Sequence, residues 1–491
     1  MRNVLWALAA GAGGVLAFAP FDLFVFGFAS IGVLAWRVER AAGSGAAFVL
    51  GLLWGLACFG VGVSWLFVAL ERYGGMPAPL AALAVLLFCA YLALYPALAM
   101  LAYFRLRRGG AFCRAGIFAA LWFMAEWLRG VVFTGFPWLA IGYSQTPPSP
   151  LAGWLPMAGV YGVGALVAAL AAWGGVMDWR VAHNRRQLAA ALLVVGGGGW
   201  LAGRLAWVEP VGEPLAVSLV QTNFEQALKW SPEHFHTILR TSLELVRASR
   251  GQLVVLPETA LPALVEQLPG AYVDELGAML DQRGATLVTG VFARDADRRI
   301  YNAASTFGVG AGQYYAKRHL VPFGEYSPPL FGWFYRWVHI PMSNQSRGVD
   351  NPPPLELFGR KIAVNICYED VFGAELVSRL PEAGLMLNLS NLAWYGDSFA
   401  QPQHLQIARV RAIESGRPML RATNTGMTAL ILPDGAVAAV LPAFTRDVLE
   451  VSVSAWQGMT PYARWGDVPA LLIASLSLFM LFTLRRQSRS V

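Results

Sequence analysis

Long apolar runs are the feature that most limits how this sequence can fold. They are concentrated in the first 204 residues and in the last 25 of 491, and one polar block separates them. A helix that crosses a bilayer needs about 20 mainly apolar residues, and the runs at 46–70, 80–104 and 151–177 meet that length. A content of 56% hydrophobic and 14% charged residues excludes a soluble enzyme and a disordered chain. The sequence therefore predicts a polytopic α-helical membrane protein.

Arginine clusters between the apolar runs predict the orientation of the chain. Basic residues are enriched in cytoplasmic loops, so an even number of spans should separate successive clusters. Three shorter runs count as spans because Arg and Trp flank them. The first run, 4–36, is interrupted by Pro20 and is compatible with a signal peptide plus one helix, one long helix or two short helices, of which two short helices satisfy the even count. The clusters are Arg2, Arg37/Arg40, Arg105/Arg107/Arg108, Arg180/Arg185/Arg186 and Arg485/Arg486/Arg489.

The resulting topology has about eight spans, with both termini in the cytoplasm. It divides the chain into a membrane domain of seven spans at 1–204, a block outside the cytoplasm at 205–466, and a C-terminal transmembrane helix with a basic tail at 467–491. The net charge of +7 resides mainly in the loop arginines, so it reports orientation in the membrane. No nucleic-acid partner is predicted.

The polar block alternates short β-rich stretches with amphipathic ones, which predicts an α/β domain. Three of its ten predicted strands end in polar residues that the local pattern does not require. Glu258 and Lys317 follow two of these strands, and Cys367 ends a third, 361–367, at a sharp turn before a helix. The carboxyl ends of strands are where α/β folds place reactive groups. The three residues are therefore candidates for a shared site.

Together, these residue types can perform covalent acyl transfer. A thiol at the tip of such a turn is favoured as a thiolate by the free N–H groups of the following helix. Glu258 can accept its proton, and Lys317, with the Tyr368 backbone N–H, can hold the oxyanion of a tetrahedral intermediate. Lysine is rare in this chain, whose other two lysines are Lys229 and Lys361. Such a set requires neither a metal nor an organic cofactor.

Each of the three residues also has a simpler interpretation. A single Cys in a strand is commonly a small buried hydrophobe, a Glu after a Pro is usually a solvated turn residue, and a Lys at a strand end often protects a sheet edge. The histidines are too scattered for metal-ligand spacing, notably His234, His236 and His404. What favours catalysis is that the three strand ends together complete one chemistry.

Glu126 and Arg129 lie at the outer end of the fifth predicted span. A charge at membrane depth indicates a functional site by default. The simpler interpretation is an interfacial ion pair whose side chains extend to the headgroups. Both interpretations stay open at this point.

The order of the motifs resembles the carbon–nitrogen hydrolase (nitrilase-like) superfamily. The motifs are Leu256-Pro257-Glu258, Tyr315-Ala316-Lys317-Arg318-His319-Leu320-Val321-Pro322-Phe323-Gly324-Glu325-Tyr326 and Asn365-Ile366-Cys367-Tyr368-Glu369. Further features narrow the resemblance to one branch of the superfamily. They are the multi-span N-terminal part and the stretches Glu126-Trp127-Leu128-Arg129-Gly130 and Phe136-Pro137-Trp138. Over essentially its whole length, the sequence is similar to the membrane-embedded branch, the bacterial apolipoprotein N-acyltransferases.

The resemblance implies a fold and a site. The fold is an α-β-β-α sandwich in the periplasm, carried by a multi-pass protein of the bacterial inner membrane. The catalytic triad falls on Glu258, Lys317 and Cys367, without a metal or other cofactor. The supporting positions of the family fall on Trp230, Glu325, Tyr368 and Glu369.

The resemblance also implies a ping-pong reaction between two lipids of the bilayer. Cys367 takes the sn-1 acyl chain of a phospholipid, typically phosphatidylethanolamine, as a thioester. The α-amine of a diacylglyceryl-cysteine at the N-terminus of an apolipoprotein then accepts the chain, which completes maturation of the lipoprotein.

Two other classes of function are weighed against this one. A membrane-anchored amidase or nitrilase would use the same three residues with water as the second nucleophile. A transporter or channel would need several inward ionisable residues and a repeated helix pattern, which the sequence lacks. The aromatic stretches 331–337 and 392–395 are either lids or membrane-dipping arms, or core aromatics beneath a long loop.

Overall fold

The structure is a computed structural model that describes residues 2–327 and 344–487. The chain separates into two compact units. The membrane unit comprises Met1–Phe67, Ala78–Leu205 and Arg464–Val491, and the sandwich unit comprises Val68–Pro77 and Ala206–Ala463. The domain boundaries at 204/205 and 466/467 stay a prediction.

The membrane unit is built from α-helices. The helices outside the sandwich sheets are α1 (Arg2–Gly14), α2 (Val25–Glu39), α3 (Ser44–Gly62), the single turn α4 (Leu66–Val68), α5 (Ala78–Leu106), α6 (Ala111–Val131), α7 (Leu155–Val176), α8 (Ala182–Ala202) and α15 (Val468–Gln487). Within the described residues, the segments long and apolar enough to cross a membrane are Ser44–Gly62, Ala78–Leu106, Ala111–Thr134 and Pro150–Val176. Helices able to span a membrane are thus confirmed, whereas the count of eight spans stays a prediction.

The first apolar run forms two helices. α1 ends at Gly14, and α2 begins at Val25. Between them lie Pro20, which cannot donate a helical hydrogen bond, and Asp22 with a φ of 55°. This arrangement agrees with the interpretation as two short helices, and whether each crosses the bilayer stays a prediction.

α3 and α5 approach each other closely because α3 presents glycines to its neighbour. A Cβ at Gly51 would lie 2.7 Å from the Pro96 carbonyl oxygen, and one at Gly55 would lie 2.8 Å from the Ala93 Cα. Lipid offers no hydrophobic driving force between helices, so close packing of small residues is what stabilises such a pair.

The sandwich unit contains two six-stranded sheets. The strands are β1 (Val208–Gln221), β2 (Leu253–Val255), β3 (Thr286–Arg294), β4 (Ile300–Gly308), β5 (Tyr314–Ala316), β6 (Leu355–Leu357), β7 (Arg360–Ile366), β8 (Leu385–Ser390), β9 (Met419–Thr423), β10 (Ala429–Ile431), β11 (Val437–Val440) and β12 (Asp447–Gly458). Their order is β12-β1-β2-β3-β4-β5 in one sheet and β11-β10-β9-β8-β7-β6 in the other. β1, β2 and β3 pair in parallel, as do β7, β8 and β9.

Alternation along the strands creates the layers of the sandwich. Leu253 and Val255 of β2 pack with Ile362 of β7 in the core between the sheets. Val254 points the other way and packs with Leu280 on the outer side, because successive strand residues face opposite sides. The helices of this unit are α9 (Gln226–Lys229), α10 (Pro232–Ala248), α11 (Gly270–Gln282), α12 (Gly373–Val377), α13 (Ala400–Ser415) and α14 (Pro461–Trp465). α10 and α11 cover the first sheet and α13 covers the second, which confirms the predicted α-β-β-α sandwich.

The two aromatic stretches have different outcomes. The stretch 331–337 lies outside the described residues. The stretch 392–395 forms a 3₁₀ turn after β8, Ala393–Tyr395, and the Trp394 ring packs edge-on against Tyr73 with 5.9 Å between centroids. A lid role for either stretch stays a prediction.

Candidate active site

Three strand ends bring a carboxylate, an ammonium and a thiol together. Glu258 follows β2 and Lys317 follows β5 in the first sheet, whereas Cys367 follows β7 in the second. The Lys317 Nζ lies 3.2 Å from Glu258 Oε1, and the charges of Lys317 and Glu258 both act on the Cys367 sulfur. All three side chains are buried. The predicted set therefore meets in space, while its catalytic roles stay a prediction.

Glu325 supplies a second carboxylate that contacts the Lys317 ammonium. Its Oε1 accepts from Lys317 Nζ at 2.7 Å, and its Oε2 accepts from the Val321 N–H at 2.7 Å. Burial alone would lower the pKa of Lys317, but Glu258 and Glu325 together raise it well above its usual value. Burial raises the pKa of Glu325 against the opposing effect of Lys317. Lys317 therefore stays an ammonium and cannot serve as a base.

Asn302 joins the two carboxylates and was missed at the level of sequence. Its Nδ2 donates to Glu258 Oε1 at 2.8 Å and to Glu325 Oε1 at 3.2 Å. No motif marks a single Asn inside a strand. The available signal is a polar residue directly before the two buried alanines of β4, Ala303 and Ala304.

Glu258 has a partner on each carboxylate oxygen. Oε1 receives the bonds from Lys317 and Asn302, and Oε2 accepts from the Asn391 backbone N–H at 2.9 Å. Asn391 was also missed, because a backbone donor carries no residue-type signal. The carboxylate is thus held in one orientation beside the sulfur of Cys367.

Cys367 occupies the tip of the predicted sharp turn. Its φ is 53°, a left-handed conformation uncommon for a residue other than glycine. Burial raises the pKa of the Cys367 thiol and Glu258 raises it further, while Lys317 and the Asn391 N–H act in the opposite direction. The resting sulfur is therefore a neutral thiol. The expectation that the turn favours a thiolate is wrong, because desolvation outweighs the nearby positive charge.

Glu369 connects the turn at Cys367 to the strand end that carries Lys317. Its Oε2 accepts from the Ile366 N–H at 2.6 Å, directly before Cys367. Its Oε1 accepts from the Arg318 and His319 N–H groups at 2.7 and 3.0 Å, and the Tyr315 hydroxyl donates to the same carboxylate at 2.8 Å. One side chain thus fixes the spacing between two sheets at the site.

A buried ionic cluster includes Asp370, which lies in the same 3₁₀ turn as Cys367. Asp370 lies 2.6 Å from His404 Nε2 and 3.0 Å from Arg421 Nη1. Arg421 Nη2 lies 2.7 Å from His404 Nδ1, so Nδ1 accepts and the imidazole proton resides on Nε2. Burial and Arg421 lower the pKa of His404, which keeps it neutral. In the described ranges 2–327 and 344–487, no cluster of His, Cys, Asp or Glu is arranged to hold a metal ion.

The remaining predicted positions are Trp230 and Tyr368. The Trp230 ring packs 5.9 Å from Phe292, and its buried Nε1 has no hydrogen-bond partner in the described part of the chain. The Tyr368 ring packs edge-on against Phe372 at 5.1 Å. The supporting roles of Trp230, Glu325, Tyr368 and Glu369 stay predictions.

Tyr395 is a further neighbour of the triad. Burial raises its pKa, and Cys367, Lys317 and Glu258 act on it electrostatically. Its hydroxyl is therefore near these three side chains and stays protonated. The sequence analysis named Tyr395 only within the aromatic stretch 392–395, as part of a predicted lid or core, and not as a site residue.

Glu126 and Arg129 are buried in the membrane unit, with exposed fractions of 6% and 3%. Glu126 Oε1 accepts from the Ile141 N–H at 2.8 Å, and Arg129 donates to the carbonyls of Phe136 and Trp138 at 2.5 and 2.7 Å. Among the ion pairs of the described residues, none joins the two. The interpretation as an interfacial pair extending to the headgroups is therefore wrong, because both charges bind the backbone that follows α6.

Family models match both parts of the chain. The model described as carbon-nitrogen hydrolase matches residues 216–458, and the model described as apolipoprotein N-acyltransferase N-terminal domain matches residues 10–173. Together with the two packed sheets, the first match makes the sandwich unit a member of the nitrilase-like class of enzymes.

Relatives named apolipoprotein N-acyltransferase cover nearly the whole chain. One from Nitrosomonas europaea is 44% identical over 98% of this chain and 96% of its own length. One from Ralstonia nicotianae is 42% identical over 96% and 92%, and one from Methylococcus capsulatus is 40% identical over 100% and 98%. The chain belongs to the apolipoprotein N-acyltransferase family. It is therefore a membrane-bound acyltransferase, which confirms the predicted family and enzyme class.

Solved structures offer a more distant likeness. An amidase from Nesterenkonia sp. AN1 is 18% identical, with a TM-score of 0.41, over 53% of this chain and 97% of that chain. The alternative prediction of a membrane-anchored amidase is not supported by the relatives that cover nearly the whole chain, which are named apolipoprotein N-acyltransferase.

Proposed function

We propose that this enzyme moves the sn-1 acyl chain of a phospholipid, preferentially phosphatidylethanolamine, to the N-terminal α-amine of a diacylglyceryl-apolipoprotein. The observation that carries the proposal is the Lys317 ammonium, 3.2 Å from Glu258 and 2.7 Å from Glu325, which acts on a buried neutral thiol. A fixed cation, a carboxylate base and a thiol are sufficient for a thioester route.

In the first half-reaction, the Cys367 sulfur attacks the ester carbonyl carbon while its proton passes to Glu258. The carbonyl oxygen becomes an oxyanion, which Lys317 Nζ and the Tyr368 backbone N–H stabilise. The bond from that carbon to the glycerol oxygen then breaks, and the leaving oxygen takes the proton from Glu258. A lysophospholipid departs, and the acyl chain stays on Cys367 as a thioester.

In the second half-reaction, the α-amine of the apolipoprotein attacks the thioester carbonyl. Glu258 takes a proton from the attacking nitrogen and returns it to the sulfur as the carbon–sulfur bond breaks. The product is an amide, and the thiol is regenerated. Amines attack thioesters more readily than they attack oxygen esters, and a site with little water favours attack by the amine over hydrolysis.

The lipid nature of both substrates agrees with the tethering of the sandwich unit. Moving an acyl chain into water costs about 0.8 kcal/mol per methylene, so the reaction has to occur where the chain stays in the bilayer. Apolar helices precede and follow the sandwich unit in the chain, namely α8 and α15. The arginine clusters support a multi-pass arrangement in the inner membrane with the sandwich unit in the periplasm.

The decisive experiment is intact-mass spectrometry of the purified protein after exposure to phosphatidylethanolamine. We expect a fatty-acyl mass increment on the peptide that contains Cys367, and its loss to a diacylglyceryl peptide that gains the same mass. Cys367→Ala should abolish the increment. Cys113→Ala is the matched control, because Cys113 is an exposed free cysteine and its removal should leave the increment unchanged. An increment on another residue, or release only as free fatty acid, contradicts the proposal.

A further inference from the structure

Lys229 is a buried lysine that the triad does not use. It is the last residue of α9, and 2% of it is exposed. Its Nζ donates to the Glu258 carbonyl oxygen and to the Thr259 hydroxyl oxygen, both at 3.2 Å. In the described part of the chain, no carboxylate lies within ion-pair distance of it. Lys317 differs, because two carboxylates neutralise it.

The turn that Lys229 binds is the one that presents Glu258. Thr259 has a φ of 48°, in the left-handed region, so this turn holds a conformation that needs support. Gly290 on β3 provides part of it, because a Cβ there would overlap the backbone of Pro257, Glu258 and Thr259. Lys229 provides another part of the support, because its Nζ donates to the Glu258 carbonyl oxygen. The carboxylate of the same residue is then free to meet Lys317 and Asn391.

A buried ammonium without an ion-pair partner is costly, and an apolar side chain of similar length would avoid that cost. Burial accordingly lowers the pKa of Lys229 to about 7, with Glu258 acting in the opposite direction. Among the described residues, Glu258 is the charged group that acts on Lys229. Strongly perturbed groups of this kind concentrate at functional sites.

Resting on the acyl transfer proposed above, we propose that Lys229 is a positioning residue for Glu258. It fixes the backbone turn that directs the carboxylate toward Cys367, and it places a second positive charge behind that carboxylate. Neither role requires contact with a lipid substrate. The mechanism above therefore depends on two lysines with different tasks, one facing the reacting atoms and one behind the base.

The charge of Lys229 sets the sign of a pH effect. When Lys229 is protonated, its charge stabilises the Glu258 carboxylate and so opposes transfer of the thiol proton to it. As the pH rises through about 7, Lys229 loses that charge, the opposition to proton transfer is removed, and thioester formation accelerates. Lys317, Glu325 and Cys367 also face Glu258, but Lys317 stays charged across this range.

The test is the rate of thioester formation on the full-length protein with phosphatidylethanolamine, followed by rapid quenching and intact-mass spectrometry at pH 6 and pH 8. For the natural protein we expect the rate at pH 8 to exceed that at pH 6 by roughly threefold to tenfold. Lys229→Met loses both tether and charge, so its kcat should fall about tenfold with KM within about twofold, and its two pH values should give similar rates. Lys229→Arg keeps tether and charge, so it should match the natural rate at pH 6 and stay slow at pH 8.

Lys361→Met is the matched control, because Lys361 lies on β7 with an exposed side chain, and it should behave as the natural protein does. A natural kcat and a natural pH ratio in Lys229→Met would overturn the inference. If that variant does not fold, a natural pH ratio in Lys229→Arg would overturn it equally. Failure of the natural protein to acylate Cys367 would instead contradict the proposed function, so the two outcomes are distinct.

Discussion

Each unit of this molecule buries a glutamate with 6% exposure, and the two are held in different ways. Glu126 of the membrane unit binds a backbone N–H, and its neighbour Arg129 binds backbone carbonyls. Glu258 of the sandwich unit also binds a backbone N–H, but it meets the Lys317 ammonium and acts on a thiol as well. Backbone dipoles neither take up nor release protons. We therefore propose that equal burial of the same residue type serves the fold in one unit and proton transfer in the other.

The strongest test of this contrast makes the same substitution in both units. Glu258→Gln keeps the size of the side chain and an oxygen for the Asn302 bond, but it removes the base. We expect thioester formation to slow by about 10³-fold, within the range for loss of a general base. Glu126→Gln should leave the rate within about twofold. Quenched intact-mass measurements give both numbers.

The two variants control each other, because both replace one buried carboxylate by an amide of the same shape. An equally large loss of the thioester-formation rate in Glu126→Gln would contradict the distinction between the units. Substantial turnover in Glu258→Gln would remove Glu258 from the triad.

The next largest effect is on stability rather than rate. Arg129→Met removes the donor of the Phe136 and Trp138 carbonyls, and leaving buried acceptors unsatisfied costs about 3 kcal/mol of the free energy of unfolding. Denaturant unfolding in detergent micelles measures the loss. The thioester rate per folded molecule should stay unchanged, and a variant of natural stability with impaired acylation would reverse the assignment.

Glu369→Gln should produce a smaller loss of activity. An amide can accept on one oxygen only, so it cannot satisfy the donors from both Ile366 and the Arg318–His319 backbone. We expect kcat to fall by about tenfold to a hundredfold, because a small misplacement of reacting groups is costly. Single-turnover kinetics at saturating lipid should show the change. An unaffected kcat would mean that Glu369 does not control the distance between the two strand ends.

The last prediction concerns the thiol itself, measured by alkylation with iodoacetamide. Because the pKa of Cys367 is raised, the reactive thiolate fraction should grow by about tenfold per pH unit from pH 7 to 9, without a plateau. Glu258→Gln removes a charge that raises this pKa, so the variant should alkylate faster at each pH although it transfers acyl chains more slowly. Peptide mapping separates Cys367 from Cys113. A plateau below pH 8 would contradict the neutral resting thiol.

The local sequence pattern alone predicted the strand ends that carry Glu258, Lys317 and Cys367, because strand periodicity and a terminal polar residue are local signals. Their convergence depends on two sheets packing face to face, since β7 belongs to a different sheet from β2 and β5. The resemblance to a known family supplied that step. Asn302 and Asn391 stayed hidden, because the first is a single polar residue within a strand and the second acts through its backbone.

In the membrane unit, local signals predicted the helices well but not the binding partners of the buried charged residues. The break at Pro20 is visible in the sequence, whereas the partners of Glu126 and Arg129 lie in an irregular segment whose path no periodicity describes. The state of the Cys367 thiol was also beyond local reasoning. Turn geometry suggested ionisation, and only the degree of burial reverses it.

The uncharged state of Cys367 has a consequence for covalent inhibitors. Electrophiles that select their target by sulfur charge would find little to react with in the resting enzyme. An effective compound should instead carry an alkyl tail that imitates the donor, so that deprotonation follows docking. Selectivity against other cysteine enzymes would then come from the shape of the tail, and the reactive group itself could be mild.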